Sequence, residues 1–135
     1  MNDTIYLEIA EVIELHLRVM ERTGVPSQGI RAQNELESAL ARPQTAAYYE
    51  GADIVRQATV LAIGISQNQP FVDGNKRTAY AVAETFLRAN GHPYEGDSIA
   101  FAKQLEAVAE RTGSLDDATD NFEKWLRVHT VELMR

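Results

Sequence analysis

Apolar residues recur along this chain at helical rather than strand spacing. Ile5, Ile9, Val12, Ile13, His16 and Met20 fall on one face at a period of about 3.6 residues. This predicts a first helix that stops at Thr23-Gly24, before Val25-Pro26. The stretch VPSQGIRAQ has the composition of a loop. NELESALARP predicts a short helix, capped by Asn34 and ended near Pro43, since a proline drives the preceding residue out of the α region. QTAAYYEGAD contains two tyrosines and a glycine without helical period, and predicts an exposed loop or short hairpin.

Asp53 is placed to cap the next helix, with Ile54, Ala58, Leu61, Ala62 and Ile65 on its buried face. A loop over residues 69–74 follows, and a further helix starts near Asn75, burying Ala79, Val82, Ala83, Phe86 and Leu87. Asn90-Gly91 ends it with a left-handed cap. HPYEGD reads as a turn, and Asp97 or Ser98 opens a helix through Ala109. Ser114, with Asp117 three residues on, opens the last helix, which is expected to bury Phe122, Trp125, Leu126 and Leu133. Ala58, Ala62, Gly64, Ala79, Ala81 and Ala83 are small enough to let the two helices around the 69–74 loop approach closely. The reading is an all-α fold, a compact bundle of about six helices in a single domain over residues 1–135.

Composition narrows the function. The chain carries no cysteine, which excludes disulfides, thiolate catalysis and cysteine zinc sites. A net charge of −7 argues against a nucleic-acid or anionic membrane surface as partner. No stretch approaches the roughly 20 apolar residues of a membrane span, and MNDTIYLEIAEVIE lacks the basic start of a signal peptide. A cytoplasmic protein is expected. In such an acidic chain, Lys76-Arg77 suits one bound anion better than a polyanionic surface.

The chemistry concentrates in QPFVDGNKRTA, residues 69–79. A helix N-terminus offers unpaired N–H groups and the positive end of the helix dipole to an anion. Gly74 allows close backbone approach, and Asn75 can cap the helix or orient a phosphate oxygen. Lys76 and Arg77 sit where cations oppose the dipole, a cost that a bound anion would offset. Arg77 has the planar fork that grips phosphate. Asp73 suits Mg²⁺, which usually takes one or two carboxylates together with phosphates. The residue types are equally compatible with a plain helix cap beside a solvated face. The string is not a Walker A loop, because Asn75 separates Gly74 from Lys76 and no strand is predicted before it. Phe71 has no polar role and is expected to anchor the loop in the core.

As a whole string, QPFVDGNKRTA resembles the core motif of the Fic/Doc superfamily, in its Doc (death-on-curing) toxin branch: His, any residue, Phe, any residue, an acid, Gly or Ala, then Asn-Lys-Arg-Thr-Ala. EVIELHLRVMERTG, ELESALARPQ and TFLRANGHPYE resemble Doc-family segments in the same order. The resemblance implies ATP and Mg²⁺ as cofactors, with Asp73 helping to hold the metal. It implies Gly74, Asn75 and Lys76 as an anion hole around nucleotide phosphates, with Arg77 binding phosphate as well. Fic adenylyltransferases usually carry Gly where Lys76 stands and a second Arg where Tyr80 stands, so both positions favour transfer of the ATP γ-phosphate over AMP transfer. The implied target is a translation factor such as elongation factor Tu, and the implied partner is a cognate antitoxin. Residues 41–53 correspond to a flap that positions a target segment, with Tyr48 and Tyr49 as its candidate contacts.

One position departs from the pattern. Gln69 stands where the family has its catalytic histidine, the base for the attacking hydroxyl. A carboxamide is not basic, although it can accept a hydrogen bond and orient a hydroxyl. Losing a general base costs about 10²–10⁴-fold, so an inactive or weak enzyme is expected. Gln69 is then either a disarming substitution or a natural change, and a non-catalytic binding module is the alternative reading. His16 reads as a core histidine with hydrogen-bond partners, His92 as a turn residue and His129 as a neighbour of Trp125; none has the spacing to replace Gln69. Thr119 and Glu123 match the Fic inhibitory motif only loosely, because Lys124 stands where Gly or Asn is expected.

Overall fold

The computed structural model describes residues 3–133, so the outermost two residues at each end of the expected 1–135 domain lie outside the described span. Six helices follow in order: α1 (Ile9–Thr23), α2 (Gln33–Glu50), α3 (Ile54–Asn68), α4 (Asn75–Ala89), α5 (Ser98–Ala109) and α6 (Leu115–Val128). The fold is all-α as expected. Pairing of extended backbone among the described residues is confined to two isolated antiparallel bridges, Ile30 with Phe71 and Tyr94 with Thr130.

α3 is the central element. Its buried residues, from Val55 to Ser66, cover nearly the whole circumference, and it packs against α2, α4, α5 and α6. A helix apolar all round belongs in a core. α1 crosses α4 and touches α2. Ala58, Ala62, Ala79 and Ala83 are fully buried, as expected of a close α3–α4 seam. Two of the small residues serve other seams. A Cβ on Gly64 would meet Ala39 Cα at 3.4 Å and Arg42 Cδ at 3.2 Å, so this glycine admits α2. Ala81 is only half-buried and lines a groove beside α5.

The main correction concerns α2. The expected stop near Pro43 and the loop or hairpin over residues 44–53 do not exist: α2 runs through Pro43 to Glu50. An interior proline removes one hydrogen bond and costs about 3 kcal/mol. Here Leu36, Ala39, Pro43 and Ala46 form one buried stripe along the helix, and continued packing outweighs the lost bond. The helix ends at Gly51, left-handed at φ 64°, with Gly51 N–H donating to Ala47 O and Ala52 N–H to Ala46 O. Its start is also shifted: Ala32, not Asn34, is the N-cap, and no side chain caps it.

The starts of α3, α5 and α6 follow the sequence reading. Asp53, Asp97 and Ser114 accept hydrogen bonds from the backbone N–H of Arg56, Ala100 and Asp117. Gly91 supplies the left-handed turn after α4. Ile5 lies before α1 and is exposed; its backbone N–H and C=O bond to the side chain of Asn90 instead. Leu133, expected in the core, lies beyond α6 and is exposed. Trp125 is half-buried among Tyr94, Phe101 and Phe122.

Candidate phosphate site at the N-terminus of α4

The loop between α3 and α4 is built from opposed caps. α3 ends at Gln69, which is left-handed at φ 49°, ψ 58° and donates its N–H to Ile65 O. α4 begins at Gly74, also left-handed at φ 78°, and no side chain caps this helix. Thr78 is the first residue of α4 whose N–H bonds back, to Gly74 O at 2.9 Å. The amides of Asn75, Lys76 and Arg77 therefore carry no intrahelical bond, the arrangement that suits an anion.

The anchors of the loop are Pro70 and Phe71, both buried. Phe71 stacks on His16 with ring centroids 3.8 Å apart, as its expected anchoring role requires. The Asn75 side chain grips the loop from within: Oδ1 accepts from Phe71 N–H at 3.0 Å and Nδ2 donates to Phe71 O at 2.9 Å. That side chain is thus committed to the loop, and what Asn75 offers a ligand is its backbone N–H. Asp73 Oδ1 accepts from the Gly74 N–H at 2.8 Å. The Gly74 amide is occupied in this way, so the amides left for an anion at this helix start are those of Asn75, Lys76 and Arg77.

Gln69, Asp73, Gly74, Asn75, Lys76 and Arg77, with Ser66 and Val72, line one cavity of 380 Å³. The sequence-predicted residues are thus brought together, with Gln69, Asp73, Lys76 and Arg77 exposed to solvent. Lys76 and Arg77 also border a second, larger cavity of 540 Å³ between α1, α4 and α5, with Arg22, Tyr80, Ile99 and Lys103 on its walls. Tyr80 packs edge-on against Phe101 and Tyr94 and takes part in the core rather than the 69–74 loop.

Mg²⁺ has one candidate ligand here. Asp73 keeps one carboxylate oxygen outside its bond to Gly74, and a single carboxylate fits a cation that draws its other ligands from phosphates and water. No cluster of three or more His, Cys, Asp or Glu forms a metal site among the described residues.

His16 is the core histidine expected, but it lies directly beneath the motif. Its Nδ1 contacts Thr78 Oγ1 at 3.0 Å and its Nε2 contacts Ser27 Oγ at 2.9 Å. Burial lowers its pKa, and the nearby Asp73 carboxylate opposes that shift. His92 and His129 donate from Nδ1 to the carbonyls of Asn90 and Trp125, away from the cavity. Glu123 is taken up in ion pairs with Arg56 and Arg127 on the α3–α6 seam.

Tyr48 and Tyr49 are not on a flap. They stand on the last turn of α2, strongly exposed and in edge-to-face contact at 4.8 Å. The extended backbone beside the motif comes instead from residues 29–32. Ile30 bridges Phe71, Arg31 and Ala32 N–H donate to Pro70 O, and Val72 N–H donates to Gly29 O. Sequence reading missed Arg31 entirely. Its Nε donates to Gln69 O and its Nη2 to Asn68 O, both at 2.7 Å. Nothing in the local composition of VPSQGIRAQ signals a contact 38 residues away.

A sequence profile of the Fic/DOC family matches residues 6–87, more than half of the chain. The chain belongs to the Fic/DOC family. Within it the Doc branch is the relevant one: the chain is 42% identical over 93 residues to the "Toxin Doc" of Mycolicibacterium smegmatis (strain ATCC 700084 / mc(2)155), an alignment covering 64% of this chain and 70% of that relative. The profile match contains the α3–α4 loop and the first helix that supports it. Among the described residues no helix is long and apolar enough to cross a membrane.

Proposed function

We propose that this protein is a Doc-type toxin whose α3–α4 loop binds the phosphates of ATP, and which is impaired in phosphate transfer by Gln69. The observation that carries the reading is the uncapped start of α4, where three free amides meet Lys76 and Arg77 on the wall of one cavity with Gln69 and Asp73. Backbone N–H groups at a helix start and the Arg77 fork are the donors that nucleotide phosphates need. Asp73 would hold Mg²⁺, which neutralises charge on the phosphates when bound.

In the family reaction a target hydroxyl attacks the γ-phosphorus. The new O–P bond forms, the bond from the γ-phosphorus to the β–γ bridging oxygen breaks, ADP leaves and the hydroxyl proton passes to a base. Gln69 borders the cavity where that base is needed, but its carboxamide cannot take the proton. It can accept a hydrogen bond from the hydroxyl and orient it. The target proposed is a translation factor of the elongation factor Tu kind, with arrested translation as the outcome and a cognate antitoxin as the neutralising partner; the similarity to Toxin Doc supports the toxin and antitoxin part of this reading. Tyr80, held in the aromatic core, leaves the phosphate loop without the second arginine that AMP transfer uses.

The test incubates the protein and its Gln69→His variant with labelled ATP, Mg²⁺ and elongation factor Tu. Label transferred by the variant at about 10²–10⁴ times the parent rate is expected. No transfer by either protein would rule out the kinase reading for this target. Mg-ATP binding with no transfer by the variant to any cellular protein would favour the second reading, a nucleotide-binding module without catalysis, which Gln69 itself recommends.

A further inference from the structure

Gln69 is the single non-glycine residue with a positive φ among those described. An L side chain is disfavoured in the left-handed region, and helices that end this way usually place Gly or Asn there. The conformation at position 69 must therefore be held from outside, and the holding groups come from the segment between α1 and α2. Arg31 donates from Nε to Gln69 O and from Nη2 to Asn68 O. The backbone N–H groups of Arg31 and Ala32 converge on Pro70 O at 2.7 and 3.1 Å, and Gly29 O accepts from Val72 N–H at 3.1 Å. From the other flank, Arg42 Nη2 donates to Asn68 Oδ1 while Asn68 Nδ2 donates to Glu35 O. Every residue from 68 to 72 except Phe71 is thus hydrogen-bonded to residues 29–42, and Phe71, which lies in the bridge with Ile30, is hydrogen-bonded to Asn75. The Arg31 charge also lies at the carbonyl end of α3, where the helix dipole favours a cation and charge-assisted bonds are strong.

We propose that Arg31 is a positioning residue: it fixes the left-handed backbone at residue 69 and so aims that side chain into the cavity with Asp73 and Arg77. Arg31 does not line that cavity, and it acts only through residues 68 and 69. The inference rests on the reading that position 69 faces the reacting hydroxyl, but the backbone part of it can be measured without any reaction.

The experiment compares the parent, Arg31→Ala and Arg31→Lys, each with Gln69 retained and again with Gln69→His. Amide hydrogen exchange is followed along residues 66–72 and, as an internal reference, along α5. Arg31→Ala is expected to speed exchange at Gln69, Phe71 and Val72 by about tenfold or more, with α5 unchanged. Arg31→Lys, which can reach one carbonyl but not both, should recover part of the protection. In the Gln69→His pair, Arg31→Ala should lower kcat by about tenfold or more while the KM for ATP stays within about twofold. Unchanged exchange at residues 69–72, or a uniform rise that includes α5, would overturn the proposal. So would locally faster exchange with kcat unaffected. If Gln69→His with Arg31 intact transfers no phosphate, the kinase reading fails by itself, and the exchange comparison still decides whether Arg31 sets the backbone at position 69.

Discussion

The rings of His16 and Phe71 lie parallel, 5° apart in tilt and 3.8 Å between centroids, so that α1 directly supports the loop carrying the candidate phosphate site. Phe71 is essentially fully buried and carries no polar duty. Phe71→Ala should therefore cost about 3–5 kcal/mol, as buried Phe truncations do. A urea titration of the purified variant measures this, and a loss below about 1 kcal/mol would show that the loop is not packed as described.

His16 also makes stability depend on pH. Burial lowers its pKa below the ordinary 6.5, so the folded protein resists a proton that the unfolded chain accepts. As pH falls below 6.5 the unfolded state binds protons first, and stability declines until the depressed pKa is reached. His16→Gln keeps a hydrogen-bonding side chain and removes the titration. Urea midpoints at about pH 7.5 and about pH 5.5 should differ less in this variant than in the parent; an equal difference would reject His16 as the source.

Gly74 is required twice over. Its φ is 78°, and a Cβ there would lie 2.5 Å from Met20 Sδ. Gly74→Ala should destabilise the protein by about 1–3 kcal/mol, from left-handed strain and the displaced methionine. It should also weaken Mg-ATP binding, because the start of α4 has to shift. Calorimetry beside a denaturation curve checks both effects, and full stability with full affinity would contradict the geometry.

Arg77 offers the opposite signature. It is exposed on the cavity wall. Arg77→Ala should reduce affinity for Mg-ATP by about 10–100-fold, the range expected when charge-assisted phosphate bonds are lost. The melting temperature should stay nearly constant. Unaltered affinity would remove Arg77 from the site.

On the far side of the bundle, Asp53 both caps α3 and pairs with Arg127 at 2.9 Å. The Arg127 hydrogen bond is the leading cause that holds its carboxyl below the ordinary 3.8. The resulting stability is present above that value and lost as pH falls below it toward the depressed pKa. Asp53→Ala should cost about 0.5–2 kcal/mol through the cap. Asp53→Asn keeps the cap and should cost about 0–1 kcal/mol, since the pair is solvent-exposed. Acid titrations of both variants separate the two roles.

The parts of this molecule that were legible in its sequence are those whose signals are local. Asp53, Asp97 and Ser114 cap the helices they precede, because a cap involves residues only three apart. The grouping of the candidate site was legible for the same reason: Gln69 to Arg77 are contiguous, and one turn of chain brings them to one cavity. Pro43 misled because its local penalty is real, but the buried stripe from Leu36 to Ala46 against α3 overrides it. The loop or hairpin expected over residues 44–53 rests on that false break, and Tyr48 and Tyr49, which the family resemblance places on a flap, belong to a helix end. Ile5 and Leu133 continue apolar periods beyond the ends of helices, where no neighbour covers them.

The sequence by itself determined the helical class, most helix starts, the family motif and the chemical consequence of Gln69, a position with no base. Only the tertiary structure decided how that motif is held. Arg31 on two carbonyls, His16 against Phe71 and the Asn75 side chain bonded to Phe71 rather than to a ligand all depend on spatial neighbours. Composition and period record which face of an element is buried, whereas the partner across a contact is set by packing of segments far apart along the chain.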